Sequence, residues 1–354
     1  MGIFPAQEVN VKCRAMYARL LTERDYDAMI PMKSVSQVGV YLKKHTPYAY
    51  FLRRIDENDI RREQIEQALA RALFYDYERL VKFSGDGIKS AIGAMFEAYE
   101  IEDLKHVIGS ICSNRKQSVT SDDLPYVQSY GNLSDSPAIA ASTMKELTES
   151  LAHTRYYKPL LPFASAENPD FIEIDHALNL LNYKDKLNAF KKNLRGKNRR
   201  IAVSILGAKN DLANITFIYR VIKLFNFAPK DILAHLMPCE HKVSYGELFK
   251  MAECKNTEEL INLIGKSYYG FLFPKGKESE WEKLQSEYFY KIHVKNLRMQ
   301  NTDFGAAVSY LYLREIDIRN IVMLIEGVRY KLPASSISTF LVGGGRPAAG
   351  AFAA

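Results

Sequence analysis

In DIRREQIEQALARALFYDYERLVKF, apolar side chains fall at Ile65, Leu69, Leu73, Tyr77 and Leu80, in steps of four and three, with charges filling the positions between. That period predicts an amphipathic α-helix. EWEKLQSEYFYKIHVKNL repeats the spacing at Trp281, Leu284, Tyr288 and Ile292. The alternation of half-buried strands is nearly absent; RRIAVSILG at 199–207 is the best candidate, and it also suits a helix start. Glycine is sparse, with 15 of the 19 preceding residue 343, which suits long helices. The expected fold class is mainly α.

A second pattern lies over the helical one. HTPYAYFL (45–52), HTRYYKPL (153–160) and GKSYYGFL (265–272) align Tyr48, Tyr156 and Tyr268, and also Leu52, Leu160 and Leu272, at offsets of 108 and 112 residues. YEIEDLKHVI (99–108) matches IDIRNIVMLI (316–325), pairing Ile101 with Ile318, Asp103 with Asn320, Leu104 with Ile321 and Ile108 with Ile325. PKDILAHLM (229–237) sets Asp231 and Ile232 at the corresponding places. Each tyrosine block thus precedes an amphipathic block, and the chain reads as three helical units in tandem, 1–118, 119–238 and 239–342. The stretch at 113–140, rich in Ser, Asp, Gly and Pro, reads as a connection, and GGGRPAAGAFAA at 343–354 as a flexible tail or a remnant foreign to the fold. Three like units can close around a pseudo-threefold axis or stack as a solenoid, and either leaves a concave face. Taken singly, each tyrosine suits packing at a helix end; their recurrence marks a repeated structural job, which need not be binding.

At 354 residues the chain exceeds a typical single core. No apolar run reaches the roughly 18 residues of a membrane helix, since FGAAVSYLYL at 304–313 has ten, so no bilayer span is expected. The start, MGIFPAQEVNVK, lacks the order of a secretory signal, and a cytoplasmic protein is expected. Cys13, Cys112, Cys239 and Cys254 are scattered, as free thiols are. His235, Cys239 and His241 lie close together and Cys254 could join them, but the spacing matches no standard zinc pattern, and neither metal nor cofactor is expected.

The net charge of +7 and pI near 9.0 favour an anionic partner protein, lipid headgroups or nucleic acid. KKNLRGKNRR crowds Lys191, Lys192, Arg195, Lys197, Arg199 and Arg200 around Gly196; a solvated helix end and turn is the favoured reading, a dedicated anion contact the other. Catalytic motifs are lacking. Gly265, Lys266 and Ser267 imitate the end of a phosphate loop, but Leu260 stands where its glycine should be and TEELINLI has helical rather than strand spacing. SGDGIKS at 84–90 reads as a turn between helices, and neither GxSxG nor HExxH occurs.

VNVKCRAMYARLL (9–21) resembles the opening signature of the C subunit of prokaryotic V/A-type rotary ATPases, called the d subunit in eukaryotic complexes. Asn10, Arg14, Ala15, Met16, Leu20 and Leu21 fit it, while Lys12 and Cys13 depart. LREIDIRNIVMLIEGVRYKLP is similar to the family's last long helix, with Glu315, Arg319, Asn320, Ile321 and Gly327 in place, and the tyrosine blocks resemble its internal triplication. The resemblance covers residues 9 to about 342. It implies a truncated cone of three helical subdomains that sits on the cytoplasmic face of the membrane rotor ring and receives the foot of the central shaft. Its partners would be shaft subunits and the proteolipid ring; it would support ion transport without covalent chemistry, cofactor or small-molecule substrate. The candidate partner contacts are the six basic residues around Gly196 together with Tyr48, Tyr156 and Tyr268. The rival reading is a basic helical-repeat scaffold for nucleic acid; the spread of charge and the lack of aromatics around Gly196 count against it. An enzyme with a dispersed site comes third.

Overall fold

The computed structural model describes residues 5–113, 124, 126, 137–166, 169–225, 227–299 and 302–345; most of the 113–140 connection and residues 346–354 lie outside the described residues. Helices and turns make up the described residues, with no strand among them, and the fold is mainly α. The first half runs through α1 (Pro5–Tyr17), α2 (Glu23–Met29), α3 (Val35–His45), α4 (Ala49–Leu52), α5 (Arg62–Phe83), α6 (Asp86–Cys112), α7 (Met144–Ser150) and α8 (Tyr157–Leu160). There follow α9 (Phe171–Asn193), α10 (Gly196–Leu224), α11 (Pro229–Ala234), α12 (Tyr245–Ala252), α13 (Thr257–Ile264), α14 (Trp281–Arg298), α15 (Asp303–Arg329) and α16 (Ala334–Phe340). The strand candidate at 199–207 is helical, within α10.

Contacts gather the chain into two compact units. One holds Met1–Lys89, Gly196–Ile201 and Phe271–Ala354; the other holds Ser90–Arg195 and Ala202–Gly270. The core of the first forms around α15, where Ile321, Leu324, Ile325 and Val328 pack with Tyr26, Leu42, Tyr48, Leu52, Ile65 and Leu69. The stripe expected on α5 is buried at Ile65, Leu69, Leu73 and Leu80, and Tyr77 is half-buried. On α14 the deep face is Trp281, Phe289, His293 and Leu297, in steps of four and eight, while Leu284, Tyr288 and Ile292 lie at its border. In the second unit Ile101, Leu104 and Ile108 pack with Leu147, Leu151, Tyr156, Leu160, Ile174 and Leu178. α10 has 29 residues and contains an 18-residue stretch of mean hydropathy 1.2, so it is long and apolar enough to cross a membrane by length and composition. Here it buries Leu212, Ile215 and Ile218 beside two polar residues, Asp211 and Asn214.

One turn recurs three times. The hydroxyl of Thr46 donates to Leu42 O at 2.6 Å, that of Thr154 to Leu151 O at 2.8 Å and that of Ser267 to Ile264 O at 2.7 Å. Each hydroxyl bonds a carbonyl at the end of its helix, and in the second and third turns the same residue's amide reaches that carbonyl too, at 2.9 Å. Three residues later an amide returns to the same residue's carbonyl: Ala49 to Thr46, Tyr157 to Thr154 and Gly270 to Ser267, at 3.1, 3.4 and 3.1 Å. Two residues past each hydroxyl stands a buried tyrosine, and in the third turn that residue is Tyr269, not Tyr268. The third block is therefore displaced by one residue from the ungapped sequence alignment, and Phe273, not Leu272, takes the place of Leu52 and Leu160. Gly270 is required there, because a Cβ would stand 2.3 Å from Gly265 O.

A second device also recurs. Asp103 accepts from Tyr126 N at 3.0 Å; Asn214 accepts from Met237 N at 2.8 Å and donates to its carbonyl; Asn320 accepts from Val342 N at 2.9 Å and donates to its carbonyl. The gripped residues lie 23, 23 and 22 positions downstream. A carboxamide offers both an acceptor oxygen and an N–H donor, so it pairs with a passing peptide as another backbone would. Three positions before each grip sits a buried acid: Glu100, Asp211 and Asp317. The middle counterpart of Asp103 and Asn320 is thus Asn214 on α10, which corrects the expected match at Asp231 and Ile232.

Candidate functional site

Tyr48 lies inside the first unit. Its hydroxyl donates to Asp317 Oδ2 at 2.9 Å, and that of Tyr26 donates to Asp317 Oδ1 at 2.7 Å. Arg314 sets its guanidinium carbon 4.4 Å from the centre of the Tyr48 ring, its Nε 3.1 Å from Asp76 Oδ2 and its Nη1 3.7 Å from Asp317 Oδ2. Tyr310 closes the group by donating to Asp76. Burial pushes the Asp317 carboxyl above its usual range, with Arg314, Tyr26 and Tyr48 pulling it back. Burial also works against the charge on Arg314, but Tyr48, Tyr310, Asp76 and Asp317 outweigh it. The arrangement is an ionic knot, with one cation between two carboxylates and phenol donors on both.

Tyr156 holds the same place in the second unit. Its hydroxyl donates to Glu100 Oε2 at 2.7 Å and accepts from Arg155 at 2.9 Å. Arg155 also bridges Glu97 and, at 3.1 Å, Asp185. Burial, then Glu100, push the phenol far above its usual range. Tyr268 differs: it is 54% exposed, with Lys242 Nζ 5.3 Å from its ring centre. Of the three tyrosines nominated for partner contact, two are interior packing residues and Tyr268 faces outward.

In the basic decade, Leu194 is buried and Lys191, Lys192, Arg195, Lys197 and Arg200 are exposed, with Arg199 half-buried. Arg195 Nη1 donates to the carbonyls of Lys191, Lys192 and Leu194, at 3.3, 2.9 and 3.2 Å, and so caps the end of α9. Gly196, at φ 52, adopts the left-handed backbone that opens α10. Lys191, Lys192 and Arg195 belong to the second unit, and Lys197, Arg199 and Arg200 to the first.

The remaining motifs are absorbed by local structure. His235 Nδ1 bonds Asp231 O at 2.7 Å while its Nε2 lies 3.0 Å from Glu173; His241 Nε2 lies 3.4 Å from Ser204 Oγ; Cys239 Sγ reaches Gly207 O at 3.8 Å; Cys254 Sγ reaches Lys250 O at 3.4 Å. Burial, with Asp211 nearby, pushes the Cys239 thiol up to about 11. No three His, Cys, Asp or Glu residues gather for a metal among the described residues. TEELINLI is α13, and Gly265 and Ser267 close that helix. Sequence reading passed over a cleft of about 210 Å³ in the first unit, where Tyr50, Phe51 and Tyr75 meet Arg19, Arg79, Arg314 and Asp76. Its parts are far apart in sequence, and only the adjacent rings of Tyr50 and Phe51 hinted at it.

Residues 9–340 match the ATP synthase (C/AC39) subunit family. The chain belongs to that family. It is 24% identical to the C subunit of the A-type ATP synthase of Methanosphaera stadtmanae, over 97% of this chain and 89% of the relative. The corresponding protein of Archaeoglobus fulgidus is 20% identical, over 94% and 95%, and that of Pyrococcus abyssi 26%, over 91% and 87%. The signature residues have local reasons for being what they are. Arg14 donates to Leu297 O at 3.2 and 3.0 Å and to Arg298 O at 3.1 Å, capping α14. Met16, Leu20 and Leu21 are buried, and so is Cys13, whose small side chain fits where the signature differs. At Gly327 a Cβ would stand 2.6 Å from Ile337 Cγ1, so only glycine lets α16 lie against α15.

Proposed function

We propose that the chain is the central-stalk adaptor of a V/A-type rotary ATPase, a non-catalytic subunit that couples the shaft to the membrane rotor ring. The observation that carries this is family membership over residues 9–340. The turn at Thr46, Thr154 and Ser267 and the grips at Asp103, Asn214 and Asn320 support a division into three like subdomains, as in a cone with a central hollow. Such a body suits torque transfer, because close-packed helices transmit strain with little compression. In this reading the chain works on the cytoplasmic face, held there by the complex. Tyr268 and the exposed cations around Gly196 are the proposed contacts with the shaft or the ring, and the excess positive charge favours acidic surfaces there.

Fractionation tests it. The chain should sediment with membranes that carry the ring and leave them when the shaft and soluble head are stripped. Sedimentation with RNA or DNA, abolished by nuclease, would instead support the nucleic-acid scaffold.

A further inference from the structure

Two positions past each buried tyrosine of the recurring turn stands an exposed side chain: Tyr50, Lys158 and Phe271. Two of these are aromatic, 56% and 62% exposed. Each leans on a tyrosine of a long helix, Tyr50 on Tyr75 of α5 at 6.1 Å between ring centres and Phe271 on Tyr288 of α14 at 5.7 Å. Scattered exposed apolar residues are ordinary. Large rings that return at one step of a repeated turn are not, and the surroundings of Tyr50 say what they could receive.

Tyr50 and Tyr75 form one wall of the 210 Å³ cleft, in which three arginines face a single carboxylate, Asp76. Asp76 is already engaged by Arg314 at 3.1 Å, by Arg79 at 3.9 Å and by the Tyr310 hydroxyl, one carboxylate against several cations. The charge at the mouth is therefore positive, from Arg19, Arg79 and the neighbouring Arg53. Arg53 lies 4.4 Å over the Tyr50 ring and Arg79 lies 5.5 Å over that of Tyr75. A guanidinium stacked on a ring is held in place while its in-plane donors stay free to meet a carboxylate in two-pronged fashion. Tyrosine and arginine together are also the side chains that dominate protein interfaces.

We infer that this cleft docks an acidic segment of another protein, which sets an apolar side chain against Tyr50 and Tyr75 and a carboxylate against the arginines. The inference rests on the adaptor reading in that the partner is sought among the subunits of the complex. The alternatives fit less well. A nucleic-acid strand needs a run of stacking steps along a basic groove, whereas this cleft has room for one or two side chains. A bilayer anchor would carry its rings on a protruding edge and not inside a concavity.

The test replaces Tyr50, in the full chain within cells that assemble the complex, by the photo-crosslinker p-benzoylphenylalanine, with Tyr245 replaced in the same way as a control. Crosslinked peptides are identified by mass spectrometry. The expected result is a Tyr50 adduct on one peptide that carries Asp or Glu beside an apolar residue, reduced about tenfold by the pair Arg53→Glu and Arg79→Glu. Circular dichroism melting of that pair confirms that the fold persists. An adduct only to lipid or nucleic acid, an adduct on a peptide without acidic residues, or no adduct overturns the inference. Sedimentation of the same samples is scored separately. A chain that sediments with the ring but gives no adduct keeps the adaptor reading and loses this one. A chain that never sediments loses the adaptor reading, and the adduct still decides the inference by the same criterion.

Discussion

Replacing Arg314 by Met keeps most of the side-chain volume and removes the one cation that sits between Asp76 and Asp317. At the observed 3.1 and 3.7 Å the gross attraction to each carboxylate is about 4–5 kcal/mol at an effective dielectric constant of about 20. Much of that is offset by the cost of burying the ions. Breaking such a group by removing one partner costs about 3–5 kcal/mol, since the remaining charges stay buried without compensation. At ~2–4 °C per kcal/mol, differential scanning calorimetry should show the affected transition falling by on the order of 10 °C. The pH dependence separates charge from packing. The Asp317 carboxyl titrates higher in the fold than in the unfolded chain, so its contribution is complete below the unfolded value and is lost as pH rises through the folded value. Without Arg314 the folded value climbs further. The deficit of Arg314→Met relative to the parent should therefore be widest near neutral pH and narrow on acidification from about pH 7.5 to about pH 5. Adding Asp317→Asn should recover part of the loss. A deficit that stays constant across that range would mean that Arg314 acts by packing alone, and the ionic account would fall.

Ile321→Asp places an unpaired charge in a fully buried site between half-buried Ile318 and buried Ile325 and Val328, and should cost several kcal/mol; an unchanged melting temperature would refute the buried stripe. Asn214→Leu leaves the Met237 amide without a partner, at about 1–3 kcal/mol, and its carbonyl with the Cys239 amide alone, and limited proteolysis should then cut near residue 237 faster than in the parent. Lys191→Glu, Lys192→Glu and Lys197→Glu together should weaken rebinding to stripped membranes at low salt and little at high salt, with folding unchanged; parallel cosedimentation curves for variant and parent would return these residues to a solvated turn.

Periodicity made the helices legible, because a stripe such as Ile65, Leu69, Leu73 and Leu80 needs only local spacing to show itself. Register was harder. The ungapped match of GKSYYGFL to its relatives selects Tyr268, since both tyrosines of the pair suit the pattern and the leucine favours the wrong one. The hydroxyl residue two positions before the buried ring, Thr46, Thr154 or Ser267, carried the correct register, as it is the group that ends the helix. The middle grip was missed for a different reason: Asn214 sits in a helix with few echoes of its counterparts, and its likeness to Asn320 lies in a pair of hydrogen bonds. The ionic knot was beyond sequence reading altogether, as Tyr48 and Asp317 are 269 positions apart and the chain contains many carboxylates that could have met either.

The repeated devices divide the labour between interior and surface. Tyr48 and Tyr156, and each Asp or Asn grip, tie a turn or a returning chain to a long helix through groups that have lost their water. Parting any of them exposes an unsatisfied donor or acceptor at about 1–3 kcal/mol, so small displacements are resisted from the start. That is the stiffness a torque adaptor needs. The residue two places beyond the tyrosine takes no part in the turn, and there the three copies differ: Tyr50, Lys158 and Phe271. Three like turns can thus share one buried pattern while their outward positions diverge one by one. In the proposed role this difference is useful, because a ring offers the same surface many times and a shaft foot does not. Like turns can face the first, and unlike residues on those turns can discriminate within the second.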